Sequence, residues 1–368
     1  MTMKALARKS DFLFMGLVAL LVGFGLVMLM SATGPFAFQK FSDSYWFLKH
    51  QVFFGVLPGL VAFMVLSRID YRYWKKYEKA FLGVSVFLLL LVFIPGLAAT
   101  WGTSKSWIAI GGFSFQPAEV VKLTFLLYLA AWFSRLDIKK IHSVNDGLVP
   151  FLGAFGVVAV LMLLQPDLGT LLVVGAMAFA IYVVAGAKWS HLGALVGMAV
   201  IGLMVMIAVA PYRVARITTF LYPENDPKGI GYHINQAYIA IGSGGFFGLG
   251  LGHSRQKYLY LPEVAGDSIF AVAAEELGFF VMLAFIACIA LFLFRGYSIG
   301  QHTGDAFGRY IVVGIMTWIF AQMVFNIGSM VGLFPITGLP LPFISYGGTS
   351  LMVLLAAMGL MVSVSKHS

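Results

Sequence analysis

Apolar runs of about 20 residues recur along the chain, from FLFMGLVALLVGFGLVMLM at 12–30 to LMVLLAAMGLMVSVS at 351–365. A helix needs about that many apolar residues to cross the hydrocarbon layer of a bilayer, and so many such runs identify a polytopic membrane protein. The balance of residues agrees. Of 368 residues, 60% are hydrophobic and 11% charged, against about 45–50% and 25% in soluble domains, and mean hydropathy is +0.93. The expected fold class is all-α, with length counting spans rather than domains. The first run has Lys4, Arg8 and Lys9 before it and is too long for the core of a signal peptide, so it reads as an uncleaved first span. The single cysteine, Cys288, excludes an intramolecular disulfide or a cysteine metal cage.

Breakers between the runs place about ten transmembrane helices, at 11–31, 46–66, 79–98, 116–134, 148–164, 168–185, 189–210, 267–294, 306–330 and 346–365. With the N-terminus inside, basic residues concentrate on the inner side, as in Arg68–Lys79, Arg135–Lys140, Lys188, Arg295, Arg309 and Lys366. That bias is the positive-inside pattern, and it sends both termini to the cytoplasm. The net charge of +9 is then explained by these loops and by contact with membrane lipids, without nucleic acid as a partner. Residues 99–115, 211–266 and 331–345 face the exterior. The loop 211–266, between the seventh and eighth helices, is long and rich in Gly and aromatics, a composition that argues for ordered, working structure. No inverted internal repeat is evident.

Ionisable and polar residues in spans carry the functional signal, because each costs free energy to insert. In QPAEVVKL, 116–123, Glu119 and Lys122 stand three apart on one helix face and can neutralise each other. Two readings stand: a buried ion pair holding the bundle, or a cavity open to the exterior. Upstream, KSWIAIGGFSF sets Lys105 and Trp107 at the outer interface, where Trp is commonly a membrane anchor. Asp167 in QPDLGT suits a helix cap. GLPLPFISYGGTSL, with Ser345, is irregular backbone at membrane depth, tolerated only where it is buried or lines a water-filled cavity. The glycines of IGSGGFFGLGLGHS fit neither phosphate-loop pattern. His233 and His253 share the long loop without zinc-ligand spacing, while a divalent ion held loosely beside phosphate stays open.

LPEVAGDSIFAVAAEELGFF, 261–280, places Glu263, Asp267, Glu275 and Glu276 in or beside a greasy helix. Asp267 falls where the outer loop meets that helix and could simply cap it. Glu275 and Glu276 lie about 12–14 Å deeper at helical rise, positioned to answer basic residues inside the bundle. Yet Asp267 also neighbours a loop carrying Arg213, Arg216, Lys228, Arg255 and Lys257. A carboxylate among cations at the outer membrane surface suits an anionic, lipid-linked substrate. Sugar transfer from a pyrophosphate needs one base for the acceptor hydroxyl and cations for the phosphates, and no strong acid.

Taken in order, KSWIAIGGFSFQPAEVVKL, QPDLGT, GYHINQAYIAIGSGGFFGLGLGHSRQKYLYLPE, DSIFAVAAEELGF and GLPLPFISYGGTSL resemble the motifs of the shape, elongation, division and sporulation (SEDS) family, the FtsW- and RodA-like glycosyltransferases. The resemblance covers nearly the whole chain and implies one transmembrane domain, 1–368, with 211–266 as its extracytoplasmic loop. It implies a peptidoglycan polymerase of the bacterial cytoplasmic membrane that joins lipid II into β-1,4 glycan strands and releases undecaprenyl pyrophosphate. The family's essential acid falls on Asp267, as general base in an inverting transfer from MurNAc to a GlcNAc hydroxyl. Many relatives read TDFIFAV or NDFIFAV where this chain reads GDSIFAV. Lys105, Trp107, Gln116, Glu119, Lys122, Asp167 and Ser345 match motif positions, and Arg213, Arg216 and Lys257 are candidates for the pyrophosphate. Implied partners are a class B penicillin-binding transpeptidase and other division proteins. No cofactor is certain, with Mg or Mn as the candidate cation. The wording YHINQA and SRQKYLYLPE is closer to the division branch, implying work at the septum. A lipid II flippase and a non-catalytic division scaffold are the competing readings.

Overall fold

The computed structural model describes residues 11–101, 104–110, 113–209, 211–226 and 229–367. Among the described residues, seven helices are long and apolar enough to cross a membrane. They are α1 (Phe12–Phe41), α2 (Trp46–Arg68), α5 (Val144–Leu164), α7 (Trp189–Val209), α10 (Ile269–His302), α11 (Ala306–Met330) and α12 (Gly348–Ser365). Three shorter helices fall on the other expected spans: α3 (Glu78–Leu91), α4 (Pro117–Phe133) and α6 (Leu168–Val184). In α4 the shortness has a plain cause, because Pro117 opens it and Glu119 and Lys122 occupy its first turns.

The centre of the bundle is α4, α11 and α12. In the most apolar windows 83% of α12 and 67% of α11 are buried, against 11% of α7, which faces outward along most of its length. α12 packs along α2, α3 against α4, α11 against α6, and α10 against both α1 and α11. Small residues permit the close crossings expected in membranes: Gly359 lies against the Phe63 backbone of α2 and Gly25 of α1 against Phe343 and Ile344. At the end of the bundle holding Arg72, Asp305 takes bonds from Tyr71 and Arg72 while Ser363 binds the backbone of residues 69 and 71.

Two stretches read as loops are ordered. In the first, β1 (Ala98–Trp101), β2 (Ser104–Ile110) and β3 (Phe113–Phe115) form a three-stranded antiparallel sheet, pairing Ala99 with Trp107 and Ile108 with Phe115. Alternation explains it: Ser106 and Ile108 are buried while Ala109 is exposed, the period-2 pattern of a half-buried strand. Ser106 Oγ donates to the Gln165 carbonyl, seating the sheet on the break between α5 and α6. Within 211–266 lie α8 (Pro211–Leu221) and α9 (Ile230–Gly244).

α10 extends beyond the expected 267–294 and is interrupted at Gly278, whose φ is 74°. The loop after α9 fills the interruption. Leu249 and Gly250 amides donate to the Glu275 and Glu276 carbonyls, and Phe279 and Phe280 amides donate to the Gly245 and Phe246 carbonyls. Freed backbone groups at membrane depth are thereby paired with other protein groups. A Cβ on Gly278 or Gly248 would collide with the opposite backbone, so this crossing requires glycine.

Candidate active site

The short first segment of α10, residues 269–277, presents Asp267 just before its N-terminus. Ser268, not Asp267, occupies the cap position, and no side chain caps the first turn. The capping role that would have made Asp267 merely structural is therefore absent. Its side chain is buried, at 7% exposure, and its Oδ1 has no hydrogen-bond partner. Burial pushes its pKa up to about 7, helped by the nearby Glu263 carboxylate and opposed by its own backbone amide, Arg216 and the Ser268 hydroxyl. A carboxylate so placed is half-ionised near neutrality and suits proton abstraction there.

The backbone around Asp267 is held from three sides. Ser345 Oγ donates to the Gly266 carbonyl at 2.6 Å and receives the Leu341 amide at 2.8 Å. The Tyr346 amide donates to the Ala265 carbonyl at 2.8 Å. Asn326 Nδ2 on α11 bridges the Asp267 and Leu339 carbonyls, at 2.9 and 2.8 Å. One turn earlier, Gln322 Nε2 donates to the Pro340 carbonyl while its Oε1 accepts from Lys122 Nζ at 2.9 Å and from Trp318 Nε1 at 2.8 Å. Gln51 on α2 clasps the same irregular segment through the Gly347 amide and the Ser345 carbonyl. The 338–347 stretch is thus buried irregular backbone, of the kind expected for GLPLPFISYGG, and it positions the acid.

Lys122 is fully buried and pairs with Glu119 at 2.9 Å, its ammonium also lying 4.7 Å from the Trp318 ring centre. Of the two readings of this pair, the arrangement matches the one holding the bundle, and it connects through Gln322 toward the Asp267 support. Gln116 Nε2 donates to Asp167 Oδ2 at 3.1 Å, and Asp167 Oδ1 caps α6 by accepting the Thr170 amide at 3.1 Å. Trp107 is half-buried on β2. Arg216 on α8 is half-buried and acts electrostatically on Asp267. The side chains of Lys105 and Arg213, and all of Lys228, lie outside the described residues.

Lys257 stands apart from the other basic candidates. Its ammonium is buried against Glu276 at 2.8 Å and the Gly252 carbonyl at 2.7 Å. Beside the pyrophosphate role expected for it stands an internal one: it neutralises an acid in the bundle. Glu276 also accepts from Ser31 Oγ at 2.6 Å, and Glu275 accepts from Ser254 Oγ and the Arg255 and Gln256 amides. Sequence reasoning passed over Gln322 and Asn326, although polar side chains one turn apart in an apolar helix meet the same criterion that singled out Glu119. It also passed over Glu263 as an electrostatic neighbour of Asp267, and over the contact between His233 and Ser268. Among the described residues, no three His, Cys, Asp or Glu side chains gather to hold a metal.

A helical membrane protein that braces an uncapped acid at the mouth of a broken helix is the class this geometry defines. The chain belongs to the cell cycle protein family of FtsW, RodA and SpoVE, whose profile matches residues 11–368. It is 40% identical over 360 residues to the stage V sporulation protein E of Bacillus subtilis (strain 168), covering 98% of each chain. It is also 40% identical over 366 residues to the probable peptidoglycan glycosyltransferase FtsW of Thioalkalivibrio sulfidiphilus, covering 99% of this chain and 91% of that one. Among solved structures, it resembles a chain of a peptidoglycan synthase complex that coordinates polymerization and crosslinking, at TM-score 0.78 and 29% identity over 97% of both chains. It also resembles the rod shape determining protein RodA of Thermus thermophilus, at TM-score 0.71 and 29% identity over 97% of this chain and 96% of that one.

Proposed function

We propose that this multi-pass membrane protein is a peptidoglycan glycosyltransferase that polymerises lipid II at the outer face of the cytoplasmic membrane, with Asp267 as general base. The observation that carries the reading is the buried Asp267 carboxylate, which caps nothing and leaves Oδ1 without a partner. In the reaction, the acceptor GlcNAc hydroxyl loses its proton to Asp267 as its oxygen attacks the anomeric carbon of the donor MurNAc. The bond from that carbon to the pyrophosphate oxygen breaks, and its electron pair leaves on undecaprenyl pyrophosphate. The leaving group is already a stabilised anion, so the protein need supply only cationic neighbours for it, among which Arg216 acts electrostatically on Asp267. Lys105 and Arg213 belong to the same outer face by sequence position.

Both termini lie in the cytoplasm, which sets Asp267 and α8 outside, where the lipid-linked disaccharide presents its sugars. A class B penicillin-binding protein crosslinks the new strand, and the motif wording YHINQA and SRQKYLYLPE, closer to the division branch than to the elongation branch, supports the septum as the site of work. A Mg or Mn ion, where one takes part, would be held chiefly by the substrate's phosphates, since the described residues offer no cluster of three ligands.

The test supplies the purified protein, with its transpeptidase partner, with labelled lipid II and no other polymerase. Glycan chains that form with wild type and vanish with Asp267→Asn, while the variant stays monodisperse and folded, support the enzyme. Movement of lipid II across the bilayer without chain growth would replace the proposal with a flippase. Neither activity in a complex with a competent partner would replace it with a scaffold.

A further inference from the structure

An unbroken line of hydrogen bonds runs from Lys122 to the backbone of Asp267, and each of its groups has one direction. Lys122 Nζ donates to Gln322 Oε1 at 2.9 Å, and Trp318 Nε1 donates to the same oxygen at 2.8 Å. Ammonium and indole N–H can only donate, so the amide oxygen faces them and Nε2 is left for the Pro340 carbonyl, at 2.8 Å. The N–H of that same peptide unit, on Leu341, donates to Ser345 Oγ at 2.8 Å. A hydroxyl that accepts there gives its own proton to the Gly266 carbonyl, at 2.6 Å. That carbonyl belongs to the peptide unit leading into Asp267. One turn along α11, Asn326 Nδ2 donates to the carbonyl of Asp267 itself, at 2.9 Å. Both peptide planes flanking the Asp267 Cα are thus held. Planar peptides leave only φ and ψ free between them, so holding both planes fixes the direction in which the carboxylate leaves the backbone.

We propose that Gln322 is a positioning residue for Asp267, and that the Glu119–Lys122 pair serves the reaction through Gln322 rather than by touching lipid II. The proposal rests on the general-base reading of Asp267. The Lys122 ammonium is fully buried and already occupied, by Glu119 Oε1 and Gln322 Oε1 at 2.9 Å each and by the Trp318 ring below it. Gln322 is buried to 1% exposure and Ser345 to 6%, so the bonds between them form where little water competes. Each bond polarises the next, and a charged donor at the head strengthens the line. No proton travels along it. What passes from α4 and α11 to the acid is orientation.

The experiment measures initial rates of glycan formation from lipid II, with the full-length protein and its partner, beside melting curves in detergent. Gln322→Leu is expected to lower kcat about tenfold, the scale on which a small misplacement of a reacting group acts. KM for lipid II should change less than about twofold. Ser345→Ala cuts the last link and should do the same, and the double variant should be no slower than the slower single one, since both break one line. Glu119→Gln with Lys122→Met removes both charges together and leaves no orphaned ion. It should lower kcat at unchanged KM, and add nothing in the Gln322→Leu background. A raised KM for that charge-free pair, or a further loss on top of Gln322→Leu, would make Lys122 a substrate ligand and overturn the proposal. So would a Gln322→Leu that melts lower yet keeps the wild-type kcat, since the network would then only brace the bundle. If Gln322→Leu does not fold, Glu119→Gln with Gln322→Glu keeps one carboxylate beside Lys122 and loses only the donor to Pro340; wild-type kcat there overturns the proposal equally. Polymerisation that survives Asp267→Asn sinks this proposal and the general-base reading together, whereas wild-type kcat in Gln322→Leu beside an inactive Asp267→Asn sinks this proposal only.

Discussion

Asp267 and the pair Glu275–Glu276 sit eight and nine residues apart on the same stretch, yet their surroundings are opposite. Both ends are buried. At the deep end, Glu275 takes three donors from residues 254–256, and Glu276 takes Lys257, Ser31 and the Ser254 amide. At the outer end, Asp267 has an oxygen with no partner and a carboxylate neighbour in Glu263. A buried acid whose lone pairs are satisfied is part of the scaffold; one left unsatisfied stores free energy that a substrate hydroxyl can release. The deep cage fastens the loop 244–257 into the gap at Gly278, and so fixes the angle at which the outer half-helix presents Asp267.

The largest expected effect breaks the outer end. Asp267→Asn should cut glycan formation by about 10²–10⁴-fold, the range general bases contribute. Because burial raises the folded-state pKa to about 7, the native acid holds a proton that the unfolded chain has released between about pH 4 and 7. Stability therefore falls as pH rises through that window. The asparagine variant should accordingly melt higher than wild type at pH 8, with the gain fading toward pH 4, as thermal unfolding in detergent would show. Wild-type activity should rise with pH through about 7. Equal melting temperatures at both pH values would contradict the picture of a strained acid.

Breaking the deep end should act on stability instead. Lys257→Met leaves Glu276 charged and buried, a loss of about 3–5 kcal/mol, and Lys257→Met with Glu276→Leu should recover much of it by removing the orphaned charge. Were Lys257 a pyrophosphate ligand, the double variant would fold well but bind lipid II poorly. Measuring KM for lipid II beside the melting curve separates the two roles.

Much of this was legible in sequence, for identifiable reasons. Each expected span coincides with a helix, because helix-length apolar runs admit few alternatives in lipid. The Glu119–Lys122 pair and the Asp167 cap followed from spacing alone, being contacts within three residues. The strands at 98–115 and the broken α10 were not legible. The strands are short and their Gly-rich surroundings look like loop, while Gly278 marks a break only once the chain at 245–250 is seen to enter it. The inward pairing of Lys257 was not legible for the same physical reason. A loop lysine near an outer surface is indistinguishable from a substrate ligand until the loop is known to turn inward and meet Glu276.

The support under the acid offers an intermediate effect. Asn326→Leu removes the bridge between the Asp267 and Leu339 carbonyls and should cost about 1–3 kcal/mol through two unsatisfied acceptors. It should also change kcat more than KM, because the carboxylate is misplaced while the surface proposed to meet lipid II is untouched. A variant that loses stability but keeps kcat would mean the bridge serves only the bundle.

The smallest change tests how the two ends differ electrostatically. Glu263 is exposed, whereas Glu275 and Glu276 are sealed from solvent, so its influence on Asp267 crosses a boundary that water and salt can reach. Its charge raises the Asp267 pKa; Glu263→Gln should therefore move the rising limb of the pH–rate profile toward acid, by a few tenths of a unit for a screened surface charge. Added salt should shrink the difference between wild type and variant, since the Debye length falls from about 10 Å at 0.1 M to about 3 Å at 1 M. The burial contribution does not respond to salt in this way, and the Arg216 charge is common to both proteins, so salt should bring the two limbs together. A salt-independent difference would place the Glu263 effect in backbone geometry, where its φ of 50° shapes the turn leading into Asp267, rather than in its charge.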